Sequence, residues 1–190
     1  MRPTILHAVL LLALSAVPAH AQTAPGPTDP FAAHRWHVEA EAVAALEVAN
    51  YNANHEEMYG LGESVTYGLT DGLVLRAGQR FFYVSQRAED AVLLGLTIGV
   101  RSRIWQRGRV IAFLQGDVGI SYTAIAAPPR GTRFNYLAIG GGGMMVRVHP
   151  RAHLVSTLQF IHLSNASLKG ASRNPDIEAL GPSLGILFSF

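Results

Sequence analysis

Val92-Leu93-Leu94-Gly95-Leu96-Thr97-Ile98-Gly99-Val100-Arg101-Ser102-Arg103-Ile104 sorts into two faces when written as an extended chain. Val92, Leu94, Leu96, Ile98, Val100 and Ile104 lie on one side, and Gly95, Thr97, Gly99, Arg101 and Arg103 on the other, because successive side chains of a strand point in opposite directions. Segment 109–123 repeats the pattern, with Val110, Ala112, Leu114, Val118, Ile120 and Tyr122 opposing Gln115, Asp117, Ser121 and Thr123. Apolar-out and polar-in is the alternation of a membrane barrel wall.

Outward from this pair, the chain divides into segments of membrane-spanning strand length. They are placed near 35–46, 60–69, 72–83, 91–104, 109–123, 133–147, 151–163 and 178–190, an even number. Thr70-Asp71-Gly72, Gln106-Arg107-Gly108 and His149-Pro150 are tight-turn sequences. The intervening links near 47–59, 84–90, 124–132 and 164–177 are longer and polar. Short periplasmic turns with long outer loops put both termini in the periplasm, and an alternating last strand ending on Phe190 fits outer-membrane assembly. The expected fold is all-β, an eight-stranded antiparallel transmembrane β-barrel of the bacterial outer membrane. Such a barrel encloses only side chains, which excludes a diffusion pore. Glu39, Glu41, Arg76, Arg80, Arg101, Arg103 and Asp117 are the expected interior charges. The strand over 133–147, with its run Gly140 to Gly143, has no legible facing.

Residues 1–21 carry the marks of a secretory signal: Arg2, an apolar run from Ile5 to Val17, and Ala19-His20-Ala21 as a small-x-small cleavage pattern. Residues 22–33, with their Pro and Gly, read as a flexible leader, and 34–190 as the barrel domain. The composition, 49% hydrophobic and 15% charged with 19 Gly, suits exported membrane β structure better than a soluble periplasmic domain. Without Cys, no thiolate nucleophile is available. A net charge of +2 is too small to argue for nucleic acid.

The chemistry-bearing residues cluster near the C-terminus. His162 and Ser164 are two apart on the face that also carries Leu158 and Phe160, and Glu178 keeps step with Leu180, Leu184, Ile186, Phe188 and Phe190. A hairpin centred near Gly170 sets His162 opposite Glu178. A Ser, a His and a carboxylate on an apolar face suit nucleophilic catalysis, the carboxylate fixing the imidazole tautomer. A carboxylate at that depth is costly unless it lies near the head groups, so the trio is expected at the outer rim. Gly181-Pro182-Ser183-Leu184-Gly185 matches a nucleophile pattern, but it lacks the strand-turn-helix context and Ser183 falls on the lumen side. His34-x-x-His37 and His149-x3-His153 lack supporting metal ligands at suitable spacing.

His162-Leu163-Ser164-Asn165-Ala166, Leu168-Lys169, Asn174 and Ile177-Glu178 together resemble the PagL-type lipid A 3-O-deacylases, eight-stranded outer-membrane barrels that remove an ester-linked acyl chain from lipopolysaccharide. The resemblance implies His162 as general base, Ser164 as nucleophile and Glu178 as the residue orienting the imidazole. It implies an oxyanion held by the backbone N–H groups of Asn165 and Ser167, with Asn174 in support. Ser167 stands where the family commonly has Gly, and Arg173 and Pro175 lengthen the loop around Asn174. It implies no metal and no organic cofactor, lipid A as substrate within a membrane of outer-membrane lipids, and a family precedent for homodimers. The competing expectation is a non-enzymatic barrel with a structural or adhesive role, in which His162 and Ser164 are interfacial girdle positions.

Overall fold

The computed structural model describes residues 28–49, 56–87 and 89–190; the signal segment 1–21 and the first part of the leader lie outside the described residues. The strands are β1 (Trp36–Glu47), β2 (Glu57–Thr70), β3 (Leu73–Ser85), β4 (Ala91–Arg107), β5 (Val110–Thr123), β6 (Phe134–His149), β7 (Ala152–Ser164) and β8 (Ile177–Ser189). Each pairs antiparallel with the next, and β8 returns to β1 to close the barrel. Closure leaves no unpaired edge, the condition for placing strands in hydrocarbon.

The two faces of β4 and β5 are as their alternation demands. Leu96, Ile98, Leu114 and Val118 are exposed on the outer wall, while Thr97, Arg101, Gln115 and Asp117 are buried in the lumen. β2 begins three residues earlier than the alternation indicates, and β4 runs on to Arg107 through a register shift between Arg103 and Trp105. That bulge turns both Ile104 and Trp105 outward.

β6 is now phased: Asn135, Leu137, Ile139 and Met145 point inward. A Cβ at Gly143 would come within 2.2 Å of the Ser156 carbonyl oxygen and 2.8 Å of the Phe113 ring. That ring lies beneath the Arg101 guanidinium at 4.4 Å, so Gly143 keeps space for a buried cation–π pair. Gly140 faces open space on the other side.

The lumen is layered. Met58, Phe82, Leu93, Leu137, Ile161 and Leu163 belong to an apolar plug at the long-loop end, and Phe31, Val74, Ile111, Phe113 and Leu187 to a second at the short-turn end. Between the plugs, Arg101 grips Glu39 with Nη1–Oε2 at 2.5 Å and Nη2–Oε1 at 2.9 Å, and donates to Gln115. Arg76 reaches Glu39 at 3.4 Å and Asp117 at 3.3 Å, and Arg80 pairs with Glu41. Arg103, expected among these charges, is instead at the short-turn rim. It pairs with Asp29 at 2.7 Å and lies over the Phe31 ring. The reason is the position of residues 28–33, part of the segment read as leader. Thr28 N–H donates to the Pro150 carbonyl, Gly72 N–H to that of Phe31, and Phe31 is fully buried. This segment carries its own apolar anchor into the barrel mouth.

Aromatic side chains mark both rims of the outer wall. Tyr59, Tyr83, Tyr122, Phe134 and Tyr136 are exposed at the long-loop end, and Trp36, Trp105, Phe188 and Phe190 at the other, as interfacial girdles require. At the long-loop rim the Tyr83 hydroxyl donates to Asp90. With the Gln86 N–H, it holds that loop carboxyl below its ordinary value.

Candidate active site

β7 ends at the long-loop rim with His162 and Ser164 on the outer wall, level with the girdle, since Ser164 pairs with Tyr136 of β6. The chain returns through 165–176, passing Gly170 at φ +90°, a backbone that favours Gly. His162 then pairs directly with Glu178, and Leu163 with Ile177, which is the register expected from a hairpin centred on Gly170.

The side chains converge. His162 Nε2 lies 3.0 Å from Ser164 Oγ, and its Nδ1 lies 3.5 Å from Glu178 Oε1. One imidazole nitrogen therefore serves the hydroxyl and the other the carboxylate, the order of a nucleophile, a base and its orienting group. The His–Glu distance is that of an ion pair rather than a tight hydrogen bond. Ser164 is 9% exposed, while the His162 and Glu178 side chains are each 34% exposed. The site is half-sheltered and opens laterally, toward the level where head groups meet acyl chains.

Glu178 N–H reaches Glu47 Oε1 at 3.4 Å, and Val48 N–H donates to the Glu178 carbonyl at 2.8 Å, so the end of β1 and the residue after it fix the Glu178 backbone. Asp176, on the same parity as Glu178, brings a second carboxylate. One donor atom each of His162, Asp176 and Glu178 lies within 4.8 Å of the others. Among the described residues, this is the one such trio of possible metal ligands.

The loop after Ser164 departs from the simplest expectation. Asn165 N–H donates to Asn174 Oδ1 at 3.0 Å, so this oxyanion donor is already engaged. Asn165 Nδ2 ties the loop to Thr132 Oγ1 at 3.0 Å and to the Arg173 carbonyl at 2.5 Å. Ala166 and Ser167 follow at φ +50° and +60°, where a side chain costs about 1–2 kcal/mol per residue. Ser167 thus occupies a left-handed position that glycine would adopt without strain. Thr132, from the preceding long loop, carries no signal in the sequence that would have joined it to this site.

The other singled-out residues lie elsewhere. Ser183 is buried on the lumen side, 4% exposed, paired with Thr157. His34 contacts the Tyr67 hydroxyl, His37 the Ser189 hydroxyl, and His149 accepts from Arg151 N–H.

No protein-family model matches the chain, and no curated protein matches it significantly. Solved structures do. Neisserial surface protein A superposes with a TM-score of 0.62 at 12% identity, covering 82% of this chain and 97% of that one. The outer-membrane protein OprG of Pseudomonas aeruginosa gives 0.55 at 11%, covering 85% and 99%. The outer membrane enzyme PagL gives 0.54 at 15%, covering 80% and 99%. At these identities the likeness is one of fold. The protein is an eight-stranded outer-membrane β-barrel, integral to the outer membrane, with its short turns on the periplasmic side.

Proposed function

We propose that this barrel is a serine esterase that hydrolyses the ester-linked 3-O acyl chain of lipid A in lipopolysaccharide at the outer leaflet. The observation that carries the reading is the alignment of Ser164, His162 and Glu178 at 3.0 and 3.5 Å on the lipid-facing wall. An inert girdle has no use for a hydroxyl and a carboxylate on opposite nitrogens of one imidazole. The site also faces the leaflet where an ester-linked acyl chain passes.

In this scheme Ser164 Oγ attacks the ester carbonyl while its proton moves to His162 Nε2. Glu178 holds the imidazole orientation and offsets the imidazolium charge. Collapse of the tetrahedral intermediate returns that proton to the departing sugar 3-oxygen. A water then releases the acyl group from Ser164 by the reverse proton route. The oxyanion receives the Ser167 N–H, and the Asn165 N–H once the Asn174 amide turns aside. No step calls for a metal or an organic cofactor.

The test is release of free fatty acid from purified 3-O-acylated lipid A by the detergent-solubilised barrel, followed by gas chromatography. Stoichiometric release of one 3-hydroxy acid supports the esterase. Intact lipid A after prolonged incubation with folded protein favours the non-enzymatic barrel.

A further inference from the structure

At the opposite end of the barrel, a cavity of about 290 Å³ opens toward the periplasm beside residues 28–30. Its size is near the lower end of small-molecule sites, roughly 300–1,000 Å³. Arg109, Arg147, Gln106, His153 and Asp29 line it. The charges do not cancel. Both Asp29 carboxylate oxygens are engaged, one by the Phe31 N–H at 2.9 Å and the other by Arg103 at 2.7 Å. Arg109 and Arg147 have no carboxylate partner among the described residues.

Gln106 adds a donor: its Oε1 accepts from Arg103 at 2.7 Å, which leaves its Nε2 to the cavity. Two guanidinium groups with an amide N–H form a set for a tetrahedral dianion, because guanidinium forks match phosphate oxygens. The catalytic trio plays no part here; it lies at the other rim.

We propose that the periplasmic mouth of this barrel is a binding site for a phosphate monoester, held by Arg109, Arg147 and Gln106. The same chemistry is presented by a soluble phosphate ester and by a lipid head group of the inner leaflet.

Calorimetry on the folded barrel in neutral maltoside micelles tests this, with sn-glycerol 3-phosphate in one arm and phosphatidic acid doped into the micelles in the other. Sodium chloride at matched ionic strength is the reference. Saturable binding is expected in at least one arm, and the arm that responds identifies the source. Arg147→Gln should weaken it tenfold or more, and so should Arg109→Gln, a change at an exposed turn position that keeps the test open if Arg147→Gln misfolds. Arg130→Gln, in an outer loop, should leave it unchanged. Binding no greater than the chloride reference in both arms overturns the site, as does binding that survives both arginine substitutions.

Discussion

His162 and Glu178 face each other directly across the β7–β8 ladder, with Nδ1 and Oε1 3.5 Å apart. The pairing places a carboxylate on the lipid-facing wall, where an isolated charge is expensive. Two features offset that cost: the imidazole across the ladder and a position at the aromatic girdle. The arrangement ties a barrel-wall register to a chemical role, because a slip of one residue would send Glu178 into the lumen.

Ser164→Ala should reduce lipid A deacylation by on the order of 10⁴-fold or more, since it removes the group that bonds to the acyl carbon. Heat-modifiable gel mobility should remain that of a folded barrel. Ser183→Ala, in the lumen, should retain activity. The reverse pair of phenotypes would move the site to the second serine.

Glu178→Ala should lower turnover by about 10⁴-fold, in line with triad carboxylates elsewhere, with folding little changed. Asp176 has a carboxylate oxygen within 4.8 Å of an imidazole nitrogen of His162, so it is the necessary control. Asp176→Ala should cost much less. Turnover measured on both variants decides which carboxylate orients His162, and a more damaging Asp176→Ala would reassign the role. Because the three residues group their donor atoms within 4.8 Å, added zinc should inhibit and EDTA should restore activity.

Ser167→Gly should raise turnover without lowering stability. Relief of about 1–2 kcal/mol of left-handed strain exceeds or matches the roughly 0.5–1 kcal/mol of glycine backbone entropy, so the unfolding midpoint should hold or rise slightly. Ser167→Val puts a β-branched side chain at φ +60° and should impair the loop. Steady-state kinetics on the two variants should diverge in opposite directions from wild type.

The lumen offers a stability test. Arg101→Leu removes the bidentate partner of Glu39 and leaves that buried carboxylate only the longer Arg76 contact at 3.4 Å, both Arg101 and Glu39 side chains being 1% exposed. Urea unfolding in micelles should show a loss of about 3–5 kcal/mol. Arg103→Leu, at the partly exposed Asp29 pair, should cost at most about 1 kcal/mol. Equal losses would mean the mid-barrel network is not what holds the wall.

Much of this molecule is legible in period-two alternation. Leu96 and Arg101 could be assigned to opposite faces because each had neighbours of its own kind two residues away. The turn at Gly170 foretold the His162–Glu178 pairing for the same reason: strands on either side of a hairpin centre must meet in register. Where alternation fails, so does the reading. Gly140 to Gly143 carry no side chains to alternate, and their facing follows from the buried Leu137, Ile139 and Met145 around them and from the Phe113 ring beside Gly143. The Arg103 position depended on Phe31 and Asp29, more than 70 residues away, entering the mouth from a segment whose composition suggested a loose leader. The Asn165–Asn174 hydrogen bond joins the two ends of an irregular loop, for which no periodic signal exists.

If the trio on the outer wall cleaves an ester of lipid A, the mass spectrum of lipid A from the host membrane registers the loss. Cells expressing the wild-type barrel should show lipid A lighter by one hydroxyacyl group than cells expressing Ser164→Ala at equal abundance. Identical spectra from the two strains, with both barrels folded in the outer membrane, would rule out Ser164 as the nucleophile of a lipid A esterase.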